Sequence, residues 1–432
     1  MNLPIEFEKR MKNMLGGDYE AFKKAFQAEE EYAGVRIIKK NAEKILGNAE
    51  RVEWCENGYY TNKSVISGKH PYHAAGAVYF QEPSAMLPVA SLPVEKDDYI
   101  LDLCAAPGGK STQIAERLGE RGLLVANEII PKRAEILAEN IERCGGKNVI
   151  VTNEKPENLA KRFPEFFDKI VVDAPCSGEG MFRKEPQAIR EWSVEHTLSC
   201  AVRQRHILDC ALGMLKPGGS LIYSTCTFSL DENEKNVDYI LANYPNITLE
   251  PIKALGAADG FDKLGYTKRI FPHLAKGEGH FAALFKKSGD CALIRQEKDN
   301  EPPDIFRIFE KESFNTVHKG VFHTFGERLY LLPTEISFDK LRVLRPGLYL
   351  GDLKKGRFEP SYALAHAHCA DDFKKKINLD TDDEAVKKYL HGDVLECGLN
   401  GWVCVLADGY PLGWGKASGG TLKNHYPKKF RM

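Results

Sequence analysis

The chain is expected to fold as an α/β protein with a doubly wound, Rossmann-like and mostly parallel sheet, and three observations carry that expectation. Short apolar runs at residues 99–103, 123–127, 148–152, 169–173 and 219–225 alternate with helical patterns, the rhythm of βαβ units. After the first run, residues 105–110 are small and turn-prone, and a helical pattern follows at 111–118, giving strand, glycine turn and helix in succession. Two further runs, 268–271 and 280–285, lie too close together for a crossover helix and predict an antiparallel hairpin at one sheet edge.

At 432 residues the chain exceeds one ordinary core, so roughly two to four domains are expected. A hydrophobic content of 43% with 28% charged residues is that of a globular protein in water. No apolar run approaches about 18 residues, and the start Met1-Asn-Leu-Pro-Ile-Glu lacks a basic segment leading into an apolar one. Neither a membrane span nor an export signal is expected, and the protein reads as cytoplasmic. Eleven cysteines, an odd number with no close pair at metal-site spacing, point to reduced thiols and to no metal centre. The net charge of −1 carries no hint of nucleic acid, although a local basic patch can bind phosphates under a balanced total.

Ahead of the sheet, Ile5, Phe7, Met11, Met14 and Leu15 and then Tyr19, Phe22 and Phe26 form two helical patterns broken at Gly16-Gly17. Strands are expected at 34–38, 52–55 and 58–60 with a helix at 41–46, which makes residues 1–70 a small α+β unit. Residues 76–84 run extended into a helix capped near Ser84, and the sheet-bearing domain is placed at 71–287. A polar, turn-rich stretch at 286–304 marks a boundary. Residues 305–372 then form an intermediate α+β domain with β-like runs at 328–332 and 347–350, and 383–432 a compact β-rich tail. In that tail Lys416, Lys423, His425, Lys428, Lys429 and Arg431 interleave with Tyr426 and Phe430. The pattern suits a phosphate backbone with stacked bases, and a solvated basic terminus accounts for it equally well.

The glycine turn poses the question of its ligand. Gly109-Lys110-Ser111 is the second half of a nucleoside-triphosphate loop, and Asp173 would supply its magnesium acid. That loop needs a glycine five places before Gly109, where this chain has Cys104. A nucleoside cofactor without a phosphate chain is the alternative. Its ribose hydroxyls want a carboxylate at the end of the next strand, and Glu128 follows the run 123–127. The same Glu128, just before Pro131, is also an ordinary charge at a helix start. S-adenosylmethionine fits the turn and the acid together.

Two predicted strands end in cysteine at the edge where doubly wound sheets place their sites: Cys176, beside Asp173, and Cys226. Cys144, Cys200, Cys210 and Cys404 read as small apolar residues of the core. A cysteine, an acid and a methyl donor together suit methylation of cytosine at carbon 5, itself a poor nucleophile. Thiolate addition to carbon 6 makes an enamine whose carbon 5 can accept a methyl group, and loss of the carbon 5 proton then expels the thiolate. A free thiol near pKa ~8.5 is only slightly ionised at neutrality, so nearby positive charge would help. An acid that donates or shares a proton with ring nitrogen 3 would offset charge in the adduct, which suits Asp173. Chemistry alone leaves open which cysteine is the nucleophile.

Taken in order, Cys104-Ala-Ala-Pro-Gly-Gly-Lys110, Asp173-Ala-Pro-Cys-Ser-Gly-Glu-Gly180, Leu215-Lys-Pro-Gly-Gly219 and Tyr223-Ser-Thr-Cys-Thr227 resemble the motifs of Sun/Fmu-type RNA cytosine-5 methyltransferases. Met181-Phe-Arg-Lys184 and the tail make the chain most similar to their RsmF-like bacterial branch, which modifies small-subunit ribosomal RNA. The resemblance implies that Cys226 is the nucleophile and that Cys176 assists proton removal or product release, with Asp173 and Lys110 completing the catalytic set. It implies that Cys104, Ala105, Ala106, Pro107, Gly108, Gly109 and Lys110 cradle the methionine part of S-adenosylmethionine. Glu128 would take the ribose, Arg133 would lie beside the cofactor, and Asp173 would stand near both cofactor and base. Where the family often has an Asp for the adenine amine, this chain has Thr152-Asn-Glu-Lys155, and Asn153 takes that place. The resemblance further implies a PUA-like RNA-binding module at the C-terminus. The expected partner is RNA, as small-subunit ribosomal RNA or the assembled subunit, with no membrane and with the chain acting as a monomer.

Overall fold

The computed structural model describes residues 3–28, 32–62, 64–290 and 299–432. Part of the polar stretch expected at 286–304 therefore lies outside the described residues. Helices Ile5–Leu15 and Tyr19–Gln27 come first, joined by a 3-10 turn at Gly16–Asp18. A small antiparallel sheet follows, with β1 (Ala33–Ile37) between β2 (Gly58–Thr61) and β3 (Val78–Phe80). The strand expected at 52–55 does not form. Cys55 N donates to Val52 O at 3.0 Å, which closes a local turn, and Trp54 Nε1 is anchored on Pro83 O at 2.8 Å. The helix expected at 41–46 is a 3-10 helix, Ala42–Leu46.

The central sheet has ten strands. They include β4 (Tyr99–Asp102), β5 (Leu123–Asn127), β6 (Val149–Thr152), β7 (Phe167–Asp173) and β8 (Leu215–Thr225). These five are mutually parallel in the order β6-β5-β4-β7-β8. The antiparallel side holds β9 (Ile247–Glu250), β10 (Ala258–Asp259), β11 (Lys268–Ile270) and β12 (His280–Lys287), with β12 paired to β8. The parallel strands are buried on both faces, which is why they read as continuous apolar runs instead of alternating ones. Leu101, Val125, Ile150 and Ile170 face one core together with Ile207, Leu208 and Leu212 of helix Val194–Met214. Ile100, Leu124, Val149 and Val171 face the other, with Ile114, Leu137 and Ile141. Each such side chain contributes about 1.5–3 kcal/mol relative to exposure.

The tenth strand was not legible as part of this sheet. Val343–Pro346, from well beyond the hairpin, pairs antiparallel with β6. Arg345, fully buried, fastens it by donating to Val149 O and Gly146 O, both at 2.7 Å. Around it, β13 (Val321–Phe325), β14 (Arg328–Leu332), β15 (the same Val343–Pro346), β16 (Leu348–Lys354) and β17 (Arg357–Pro360) succeed one another, and all but β15 make a four-stranded sheet. The last unit is a five-stranded sheet of β18 (Lys376–Leu379), β19 (Leu395–Glu396), β20 (Gly401–Ala407), β21 (Tyr410–Ser418) and β22 (Thr421–Asn424). Its aromatic residues correct one expectation. Tyr426 is buried 5.6 Å from the Tyr389 ring, so this ring builds the fold and is not free to stack on bases, while Phe430 is half-buried with its ring 5.3 Å from that of Tyr362.

A candidate active site at the sheet's switch point

Strand order reverses between β4 and β7, and the crevice beyond their C-terminal ends is where an open α/β sheet takes its ligand. The segment Cys104, Ala105, Ala106, Pro107, Gly108 turns there from β4 into helix Gly109–Ala115. Ala105 N donates to Asn127 O at 2.8 Å, and Gly108 takes a φ of +116°, a left-handed conformation open to glycine. The outer side of the turn is held by Arg133 Nη2 on Ala106 O at 2.9 Å and Asn140 Nδ2 on Pro107 O at 2.8 Å. The inner side rests on the N-terminal unit. Buried Arg36 donates to Gly109 O at 3.0 Å, Thr112 Oγ1 at 2.6 Å, Glu116 Oε1 at 2.7 Å and Gln81 Oε1 at 3.1 Å.

Beside the turn, fully buried Asp102 accepts from Ser111 Oγ at 2.6 Å on Oδ2, while Oδ1 has no partner among the described residues. Burial pushes its pKa up to about 7. Glu128, at the end of β5, is nearly buried. Its Oε1 accepts from Ile130 N at 2.9 Å, and its Oε2 lies 3.6 Å from Arg133 Nη1. A carboxylate oxygen has two acceptor sites, so Glu128 keeps capacity for further donors. Asn153 Nδ2 donates to Glu128 O at 2.7 Å and Ile129 O at 2.9 Å, which props that loop. An orphaned carboxylate oxygen for a cationic amine and a fixed acid for ribose hydroxyls fit S-adenosylmethionine, and neither would serve a triphosphate.

Across the switch point, Asp173 ends β7 in register with Ser224 of β8. Its Oδ2 accepts from Lys110 Nζ at 2.7 Å and its Oδ1 from Ser224 Oγ at 2.7 Å, with His280 Nε2 3.4 Å from the same Oδ1. Burial alone would raise its pKa, but the Lys110 ammonium and His280 outweigh that and hold the carboxyl well below the usual range. Asp173 is therefore an anion near neutral pH, and Lys110 is committed to it.

The two strand-end cysteines meet: Cys176 Sγ and Cys226 Sγ lie 3.3 Å apart, both as free thiols. The Cys226 neighbour and burial push the Cys176 thiol well above its ordinary value. Glu232 holds the Cys176 loop by accepting from Ser177 N at 3.0 Å, Ser177 Oγ at 2.5 Å and Gln204 Nε2 at 2.8 Å. Gly180 N donates to Cys226 O at 2.8 Å, and a Cβ on Gly180 would stand 2.9 Å from that oxygen, so this close approach requires glycine. Buried Glu179 accepts from Phe228 N at 3.0 Å, Trp192 Nε1 at 2.7 Å and Arg10 of the first helix. Phe7, Phe22 and Phe26 of the N-terminal helices pack against Phe182, Trp192 and Phe228, so that unit forms the floor under both cysteine loops.

Sequence reasoning thus named residues that the fold gathers from five strand ends. It missed Ser224 and Glu179, although both stand inside the quoted motifs, and His280, which opens the second hairpin strand. Glu232 and Arg36 gave no motif signal, and only a count of what each buried polar group touches identifies them.

The chain matches four family profiles. They are described as 16S rRNA methyltransferase RsmB/F over residues 89–286, N-terminal domain of 16S rRNA methyltransferase RsmF over 3–83, RsmF rRNA methyltransferase first C-terminal domain over 308–367 and methyltransferase RsmF PUA domain over 376–432. It is 33% identical over 405 residues to the ribosomal RNA small subunit methyltransferase F of Enterobacter sp. (strain 638), covering 88% of this chain and 83% of that protein. The protein of the same name from Aeromonas hydrophila is 34% identical over 420 residues, covering 88% and 84%. Among solved structures, a methyltransferase homolog protein from Pyrococcus horikoshii superposes with a TM-score of 0.58 at 26% identity, covering 65% of this chain and 94% of that one. No helix among the described residues is long and apolar enough to cross a membrane. The crevice at the switch point and these similarities together place the chain in the RsmB/F methyltransferase family, with S-adenosylmethionine as its methyl donor.

Proposed function

We propose that this protein methylates carbon 5 of a cytosine in small-subunit ribosomal RNA through a covalent adduct to Cys226. The observation that carries the proposal is the contact between Cys176 and Cys226 beside an anionic Asp173. Cys226 adds to carbon 6 of the base, its thiol proton passing to ring nitrogen 3. Asp173 accepts a hydrogen bond from protonated ring nitrogen 3 and so balances charge in the adduct, while Lys110, Ser224 and His280 keep the carboxylate in place. S-adenosylmethionine, when bound, supplies an electrophilic methyl group. Cys176, kept as a neutral thiol by its neighbour and by burial, is a poor nucleophile; in the elimination it gives its proton to the departing Cys226 sulfur as it takes up the carbon 5 proton, and ring nitrogen 3 returns its proton to solvent. Asp102 would face the cofactor's amino group, Glu128 its ribose and Asn153 its adenine amine, with Arg133 holding the turn beside it. The terminal units, the basic tail included, would grip RNA outside the crevice, and the chain would work as a cytoplasmic monomer.

Labelled cofactor with small-subunit ribosomal RNA or isolated subunits should label cytosine at carbon 5. Cys226→Ser should abolish turnover, and full turnover in that variant would overturn the nucleophile assignment. Cys176→Ser should accumulate a protein–RNA adduct seen as a shifted band on a denaturing gel.

A further inference from the structure

Behind the helix that follows the glycine turn lies a cavity of about 790 Å³ that the reaction does not use. Thr112, Ala115 and Glu116 line it, whereas Lys110 of the same helix reaches Asp173 in the catalytic crevice. The other walls come from the segment after β1, from the turn after helix Pro131–Arg143, from residues 366–372 and from the β20–β21 turn. Five parts of the chain thus meet around one space, tied across it by Tyr410 OH on Lys40 O at 3.0 Å and Tyr72 OH on Asp408 Oδ2 at 3.1 Å.

The charges of the lining are unequally engaged. Glu116 is paired with Arg36 at 2.7 Å and Asp371 with Lys376 at 3.7 Å, while Asp372 only shares a hydrogen bond with the His368 ring at 3.0 Å and Asp408 accepts one from Tyr72 at 3.1 Å. The lysines Lys39, Lys40, Lys44 and Lys147 have no ion-pair partner among the described residues. His366 and His368, pushed down to about 3 and about 4 by burial, are neutral. Lys39 is the decisive residue: its Nζ is buried with no hydrogen-bond partner among the described residues. A buried ammonium without a counter-charge is costly, and an anion in the cavity would remove that cost.

We propose that this cavity seats a phosphate-bearing nucleotide unit, with Lys39 as its deep anchor and Lys40, Lys44 and Lys147 around it. Its volume lies in the range of small-ligand sites and holds far more than a bare phosphate. The nucleotide is either one unit of the RNA backbone, which rests on the RNA substrate proposed above, or a free nucleotide, which does not.

The test uses the full chain, with AMP and small-subunit ribosomal RNA as probes and Lys39→Met as the variant. Wild type should bind AMP saturably by calorimetry, and Lys39→Met should weaken that binding about tenfold or more. Burial holds Lys39 down to about 8, so AMP binding at pH 8 should also draw a proton from the buffer in wild type and not in the variant. Weakened RNA binding with a salt slope smaller by about 1 assigns the seat to the RNA backbone. Unchanged RNA binding with weakened AMP binding assigns it to a free nucleotide. Unchanged binding of both probes overturns the site. S-adenosylmethionine affinity reports that the variant is folded, and exposed Lys44→Glu, expected to weaken AMP in the same direction, repeats the test without touching buried structure.

Discussion

The Cys176 and Cys226 sulfurs stand 3.3 Å apart at the ends of neighbouring parallel strands, close enough to touch and too far to be bonded. A disulfide would need them to approach to about 2.05 Å, a small movement for two partly exposed loops. Diamide, a two-electron oxidant, would take two electrons and two protons from the pair. We expect diamide-treated protein to lose methyl transfer and to recover it with excess dithiothreitol. Mass spectrometry of the oxidised digest should show the peptides of Cys176 and Cys226 linked. Inactivation without that linked pair would contradict the contact.

Glu179 joins both cysteine loops to the N-terminal unit, because it accepts from Phe228 N, Trp192 and Arg10 while fully buried. Glu179→Ala leaves these donors unpaired in the interior, at a cost of about 3 kcal/mol. The expected outcome is a lower thermal midpoint and a kcat down about tenfold, with the KM for S-adenosylmethionine within about twofold, since the cofactor turn lies across the crevice. An equal rise in the cofactor KM would show that Glu179 acts on both sides of the site.

The parallel strands and the glycine turn were legible because burial on two faces leaves an unbroken apolar run, and because a turn at a strand end needs small residues. Cys176, Cys226 and Asp173 were legible for a related reason: each ends such a run. Other features carry no local signal. Val343–Pro346 joins the sheet from far along the chain, held by a buried arginine whose charge argues against a strand until its two carbonyl partners are seen. The Val52–Cys55 segment has β-type composition, but an anchored Trp54 and a local turn outweigh that propensity. Tyr426 looks like a base-stacking ring in a basic tail, yet alternation alone could not show that it is needed inside the last sheet's core.

Asp102 gives cofactor binding a pH dependence. Its folded pKa is raised to about 7 by burial, so in the free protein it is largely neutral below that value. An acid raised in the folded state costs stability as pH climbs from its unfolded value near 4 to about 7, and a bound ammonium would return that cost. Lys110, Asp173 and Glu128 are the charged groups that act on it, with Lys110 opposing the two acids. S-adenosylmethionine affinity should therefore weaken as pH falls through 7 towards 5. Asp102→Asn should bind more weakly at pH 8 and show a flat profile. Calorimetry across this range checks it, and an unchanged slope in the variant would place the dependence elsewhere.

Arg36 lies outside every motif, yet of its four hydrogen bonds two, to Gly109 O and Thr112 Oγ1, fix the start of helix Gly109–Ala115, a third reaches Glu116 at its end and the fourth Gln81. Its partner Glu116 has a pKa raised by burial, only partly opposed by Arg36 itself, so removing the guanidinium leaves an acid that must take up a proton or stay charged in the interior. Breaking a buried pair by deleting one partner costs about 3–5 kcal/mol. Arg36→Met keeps the stem volume and loses all four bonds. We expect a lower thermal midpoint and about tenfold weaker S-adenosylmethionine binding, because Gly109 O is one of the atoms released. Adding Glu116→Gln to Arg36→Met should recover part of the stability and leave the cofactor affinity low, since the neutral amide removes the stranded charge without restoring the hold on the turn. Recovery of both quantities together would show that Arg36 serves stability alone.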